Sequence, residues 1–419
     1  MYEHYQLSNK ANIYLVPIDN TKSLTGLVLF PVGSRFESEK MNGSSHFIEH
    51  LMFKGTKKRP NTLALTREID RLGAEYNAFT NKEMTGYYVK ADAGYAETVL
   101  DILSDMLYNS LFDAKEMELE KTVVVEELKM YRDNPLMNIG NLFEELMFAG
   151  CPLGWDIGGT PRHVLAYNRD EVLRYRDRHY DPSNMTVVVA GSINEKVKDL
   201  LARYFGQEKS RFKASKVFKP AVFGSSSQQD RLLVDEKKTD QAQLMLGFPG
   251  FNHTDKRNAT LAVLDTILGG SMSSRLFIQV RERRGLAYMI KSGADSFRDT
   301  GYVYVRAGLD AKNLNRAIAV IKKEIEKVID KGISQRELAD AKTHIRGGLS
   351  LALENSNHQA DWYGHQALFM DKIHSPEERL REIDKVTADG VKRLAEKVFD
   401  FNQMRVAIIG DLKKEAVVF

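Results

Sequence analysis

Apolar residues cluster through Asn12 to Pro17, Leu24 to Val32, Tyr87 to Ala91 and Met185 to Ala190, which predicts strands. Helical spacing holds over Ser44 to Phe53, where a serine is available as a cap, and over 61–72, 94–109, 114–133, 169–177 and 195–205. The chain therefore opens β, β, α and mixes helices with strands. Periodicity is lost over 207–229, which ends in Gly224-Ser225-Ser226-Ser227-Gln228-Gln229 and reads as a linker.

The pattern recurs across that linker. Thr85-Gly86-Tyr87-Tyr88-Val89-Lys90-Ala91 matches Thr300-Gly301-Tyr302-Val303-Tyr304-Val305-Arg306-Ala307, and Asn184 to Gly191 matches Gln403 to Gly410, at offsets of 215 and 219 residues. Two matches in one order at nearly one offset favour duplication. The expected fold is α+β with two related domains, 1–210 and 230–419, joined by a linker at 211–229.

Composition narrows the chemistry. The chain has 419 residues, 43% hydrophobic and 28% charged, a globular balance large enough for two domains. A formal charge of +3, without long single-sign runs, gives no footprint for nucleic acid or a membrane surface. Cys151 is the only cysteine, so an intramolecular disulfide and a cysteine-cluster metal site are excluded. No apolar run approaches a membrane span, and Met1-Tyr2-Glu3-His4-Tyr5-Gln6 does not read as a signal segment, so the expected location is the cytoplasm.

A metal, if bound, must be held by histidines and carboxylates, and His46-Phe47-Ile48-Glu49-His50 offers both. On a helix His46 and His50 lie one turn apart, and Glu49 projects to the same side. Two imidazoles suit zinc, and Glu49 is placed to take a proton from an attacking water and return it to a leaving amine. A catalytic zinc site still needs a third protein ligand. The next long helix carries Glu116, Glu118, Glu120, Glu126 and Glu127; Glu120 and Glu127 share a face with Val123 and Val124, and periodicity leaves Glu126 open as well.

Together, His46 to His50, Asn77-Ala78-Phe79-Thr80 and Glu120 to Glu127 closely resemble the peptidases that include pitrilysin, insulin-degrading enzyme and mitochondrial processing peptidase, with the length of the small bacterial-type members. The resemblance implies one zinc ion per chain, with Glu127 as third ligand through its Val-Val-Val-Glu-Glu-Leu context and Glu120 as an outer carboxylate orienting a ligand. It makes Asn77, Ala78 and Phe79 part of an edge strand that an extended peptide joins by main-chain hydrogen bonds. It assigns Arg281 and Tyr288 to peptide binding and to the reacting carbonyl, for which a cation and a phenol are suitable donors. The Gly269-Gly270 loop before them lacks the spacing of a phosphate-binding motif.

Larger relatives enclose substrate in four such domains, and two are expected here, so the resemblance also implies a homodimer in which Arg281 and Tyr288 serve the partner's zinc site. A heterodimer with a non-catalytic homologue is the alternative. In the stretch Glu337 to Leu349, which looks like the repeat of the Glu118 to Leu128 helix, Arg346 or Gly348 stands in the place of Glu127. The expected activity is a zinc metalloendopeptidase cleaving peptides or unfolded segments; a scaffold or peptide-holding subunit is the rival. Met137 and Asn141 stand where the mitochondrial enzymes carry acids for basic presequences, which argues against that specificity.

Overall fold

The computed structural model describes residues 2–211, 217–225 and 227–419. Its strands are β1 (Glu3–Gln6), β2 (Asn12–Pro17), β3 (Ser23–Phe30), β4 (Glu75–Thr80), β5 (Thr85–Asp92) and β6 (Thr186–Gly191), then β7 (Leu232–Glu236), β8 (Ala242–Pro249), β9 (Ala287–Ser296), β10 (Gly301–Leu309) and β11 (Arg405–Gly410). The helices of the first half are α1 (Ser44–Leu51), α2 (Thr62–Arg71), α3 (Ala96–Asn109), α4 (Ala114–Asp133), α5 (Pro135–Met147), α6 (Pro161–Ala166), α7 (Arg169–His179) and α8 (Lys196–Phe205). The second half supplies α9 (Asn258–Leu268), α10 (Leu314–Lys331), α11 (Gln335–Ala352), α12 (Ser356–Phe369), α13 (Pro376–Asp384) and α14 (Ala388–Val398). In the first half β1, β4, α5 and α6 were not among the elements expected from periodicity, although the resemblance implied an edge strand at Asn77 to Phe79.

One sheet has the order β1-β2-β6-β3-β5-β4 and the other β7-β11-β8-β10-β9. Each is antiparallel except for one parallel pair, β2 with β6 and β11 with β7. The fold is α+β with two related sheet-and-helix assemblies, as expected. The matched sequence pairs occupy equivalent places: β5 and β10 stand beside the edge strand of each sheet, and β6 and β11 stand next to its parallel partner.

Both faces of each sheet are buried, which is why the strands carry continuous apolar runs rather than alternation. In the first sheet Ile13, Leu15, Val28, Val187 and Val189 face the core shared with Phe47, Leu51, Leu100 and Leu103. The residues between them, Tyr14, Val16, Leu29, Val188 and Ala190, face Ala360 and Tyr363 of α12. In the second sheet Leu244, Leu246, Val406 and Ile408 face one core, while Met245, Ala407 and Ile409 face Ile139, Phe143 and Met147 of α5.

The helices on the outer faces are thus exchanged between the halves of the chain. The compact units are Met1–Lys129 with Trp155–Lys219 and Leu351–Ile373, and Met130–Gly154 with Pro220–Ser350 and His374–Phe419. This departs from the expected domains 1–210 and 230–419, because each sheet takes its second apolar cover from the other half. The expected linker, 211–229, includes 212–216 and 226, which lie outside the described residues.

The cover is energetically substantial. Phe143 is 0% exposed and meets Tyr302 edge-on at 5.3 Å between ring centroids. Phe143→Ala is expected to lower stability by about 3–5 kcal/mol through lost burial and the cavity left behind, read as an earlier urea midpoint.

Candidate metal centre

The first unit carries the site. α1 has eight residues and begins at Gly43, whose φ of 95° is left-handed; no side chain of the helix start caps it. The serine expected to cap α1 does not do so, because the cap comes from outside the helix. The Glu37 carboxylate, 5% exposed, accepts from Gly43 N at 2.6 Å, Ser45 N at 2.7 Å and Asn42 Nδ2 at 3.2 Å. A carboxylate at a helix N-terminus satisfies orphan N–H groups and faces the positive end of the macrodipole. The adjoining backbone is packed tightly: a Cβ on Gly43 would stand 2.3 Å from Gly158 O, and one on Gly159, at φ 74°, would stand 2.3 Å from Asn42 O. Tyr167 Oη donates to Asn42 O at 2.5 Å. Phe47, Ile48 and Leu51 are fully buried below α1, leaving His46, Glu49 and His50 on its other side.

α4 brings the third donor. His46, His50 and Glu127 form one group whose candidate ligand atoms all lie within 4.8 Å of one another. Glu127 Oε2 stands 3.2 Å from His50 Nε2 and 3.8 Å from His46 Nε2. Glu126, the alternative left open by periodicity, is 65% exposed and pairs with Lys129 at 2.7 Å. Glu120, two turns before Glu127, is buried; its Oε1 meets His50 Nδ1 at 2.8 Å and its Oε2 is paired with Lys54. Glu49 Oε2 accepts from Thr80 Oγ1 at 2.6 Å.

Environment separates these groups. Burial and the neighbouring His50 depress His46 to about 4, so its imidazole is neutral. Burial also opposes charge on His50, but its hydrogen bonds to Glu120 and Glu127 outweigh that and raise it to about 9. Glu120 is pulled down by His50 and Lys54 against burial, and Glu127 by its hydrogen bond to His50. Burial pushes Glu49 up, with the Thr80 hydrogen bond opposing. The donor set fits zinc: two imidazoles and a carboxylate converge, and Glu120 on Nδ1 of His50 leaves Nε2 as the ligating nitrogen.

The remaining expected residues are placed as follows. β4 is an edge strand and, among the described residues, pairs with β5 on one side of its backbone and with no strand on the other. Asn77 is exposed, its Oδ1 accepting from Ala78 N at 2.9 Å; Ala78 is buried in the core below α1. Phe79 packs on the opposite face, where a Cβ on Gly86 would stand 2.4 Å from its ring. Arg281 and Tyr288 belong to the second unit. The Arg281 guanidinium lies 4.7 Å from the Phe277 ring centroid and 5.5 Å from that of Tyr288, which is 74% exposed. Arg346 of α11 pairs with Asp384 at 2.9 Å, so that helix uses the position for an ion pair.

Sequence reasoning assigned no role to Glu37, Lys54 or Thr80. Thr80 stands inside one of the motifs that carried the resemblance and Lys54 four residues beyond another, whereas Glu37 has no local signal, since its partners lie five to eight residues onward.

With its raised pKa, His50 of the metal-free protein carries a proton below about pH 9 that a metal must displace. Apparent zinc affinity is therefore expected to rise about tenfold per pH unit up to about pH 9 and then level off, measured by competition with a chromophoric chelator. Glu120→Ala is expected to weaken zinc binding by roughly 10–100-fold in the same assay.

Comparison with known proteins agrees with this geometry. Residues 15–157 match the family model described as insulinase (peptidase family M16), and residues 166–345 match the peptidase M16 inactive domain. An uncharacterized zinc protease of Bacillus subtilis is 34% identical over 399 residues, covering 95% of this chain and 96% of that protein. Another from Streptomyces coelicolor is 33% identical, covering 94% and 86%. Among solved structures, a protease from Helicobacter pylori superposes with a TM-score of 0.90 at 22% identity, covering 98% of this chain and 99% of that one. A peptidase M16 inactive domain protein from Pseudomonas fluorescens gives 0.90 at 17% identity, covering 98% of each. Two related domains, the inverted His-x-x-Glu-His helix and whole-length similarity to zinc proteases together establish that the chain belongs to the M16, or insulinase, family of peptidases.

Proposed function

We propose that this protein is a zinc-dependent endopeptidase that cleaves peptides or unfolded protein segments. The observation that carries the reading is the placement of Glu49 between two convergent imidazoles on one short helix, its carboxylate separate from the His46, His50 and Glu127 group. His46, His50 and Glu127 would hold the ion, which when bound supplies Lewis acidity to water and to the scissile carbonyl. Glu49 accepts a proton from the attacking water and delivers it to the leaving nitrogen; burial, which raises its pKa, suits a group that must both take and give. Glu120 and Lys54 keep His50 oriented. The unpaired side of β4 receives the extended substrate, so affinity comes from main-chain hydrogen bonds and tolerates varied side chains.

The working unit in this reading is a homodimer that closes around substrate, with Arg281 and Tyr288 serving the partner's metal site. Their pairing in the second unit supports it: the half-buried guanidinium rests against the Phe277 and Tyr288 rings and the phenol is exposed. Among the described residues no helix is long and apolar enough to cross a membrane.

Glu49→Gln is expected to retain zinc while losing roughly 10²–10⁴-fold in cleavage of a quenched fluorogenic peptide. Zinc-loaded wild type that leaves such peptides intact would overturn the proposal. Mixing Glu49→Gln with Arg281→Ala chains is expected to restore about a quarter of wild-type activity, since each mixed dimer holds one intact site. Absence of any recovery would remove the shared site.

A further inference from the structure

We infer that Thr80 is a positioning residue for Glu49, fixing the carboxylate from the same strand that offers its edge to the substrate. The inference rests on the peptidase reading and concerns how its base is held.

Glu49 has three side-chain torsions and stands on the open side of a two-turn helix. Nothing in helical geometry selects one orientation of its carboxylate, and restricting such a side chain carries an entropic cost. Thr80 Oγ1 donates to Glu49 Oε2 at 2.6 Å, and among the described residues it is the hydrogen-bond donor to that carboxylate. The donor is stiff. Threonine is branched at Cβ, and Thr80 ends β4 opposite Thr85, where the strand pairing fixes its backbone. Ala78, two residues earlier on the same face, is buried in the core beneath α1, whereas Phe79 points to the other face. The alternation of β4 thus directs the Thr80 hydroxyl at α1.

One oxygen of Glu49 is engaged by Thr80, which leaves the other directed at the proton to be moved. The free edge of β4 and the Thr80 hydroxyl belong to one rigid element, so a peptide registered on that edge is also registered against the base. Displacing a reacting group by about 1 Å can cost on the order of 10²-fold in rate. The bland alternative, a strand-end threonine satisfying any nearby acceptor, predicts no selective loss of turnover.

The test compares Thr80→Val, which keeps the shape and removes the donor, with Thr80→Ser, which keeps the donor. On the quenched peptide, Thr80→Val is expected to retain its zinc and keep KM within about twofold while kcat falls roughly 10–100-fold. Thr80→Ser is expected to restore kcat to within a few-fold of wild type. Thr80→Ala serves as the donor-less variant should valine impair folding. Wild-type kcat in a folded donor-less variant, equal losses in valine and serine variants, or a loss confined to KM would each overturn the role of Thr80 and leave the peptidase reading standing. A zinc-loaded wild type that does not cleave overturns the peptidase reading itself, and Thr80's role with it.

Discussion

A helix of eight residues is too short to be stable alone, and this one must present two imidazoles and a carboxylate to within ångströms of a second helix. Its position therefore depends on what holds its ends. At the N-terminus the buried carboxylate of Glu37 ties down the N–H groups of Gly43 and Ser45, while the backbone around Gly43 fits against Gly158 and Gly159 with no room for side chains. At the C-terminus, where the dipole favours positive charge, His50 lies in the last turn and Lys54 follows. Both meet Glu120, so one acid on α4 clamps the far end of α1.

The same residue type then serves four purposes according to its surroundings. Glu37 accepts backbone hydrogen bonds. Glu120 is held ionised by a lysine and a histidine, and Glu127 by a histidine. Glu49 has a threonine hydroxyl as its neutral partner, and burial keeps its proton affinity high. Separation of carboxyl environments of this kind is what the proposed division between metal ligand and proton carrier would require. Two carboxylates meet His50, Glu120 at 2.8 Å and Glu127 at 3.2 Å, and their hydrogen bonds favour its charged form.

The candidate metal site was legible because helical periodicity places His46, Glu49 and His50 by local rules alone, and because the family pattern spans the gap to Glu127. Four strands of the first sheet, β2, β3, β5 and β6, were legible from apolar runs, and β10 and β11 of the second from two short matches to β5 and β6. What the sequence left hidden depends on contacts remote in the chain. The pairing of Glu49 with Thr80 joins residues 31 apart, and the resemblance that implied an orienting role for Glu120 did not say which ligand it meets, His50, 70 residues away. Glu37 failed for another reason: it caps from a preceding turn, a geometry without the Ser-x-x-Glu signature that marks a local cap. The division of the chain was misread because a linker was taken for a boundary, whereas the covering helices α5 and α12 each serve the sheet of the other half.

That exchange bears on how the chain acquires its structure. During synthesis the first sheet can form once Gly191 has emerged, but its outer face, including Leu29 and Val188, waits for residues 356–369. Over that interval α5 also lacks the sheet it covers, since β8, β10 and β11 lie downstream. Until then the apolar faces of the first sheet and of α5 lack the partners that bury them in the folded chain, and exposed apolar surface of that kind favours aggregation. Each sheet thus acquires its second apolar cover only when chain from the other half has been made.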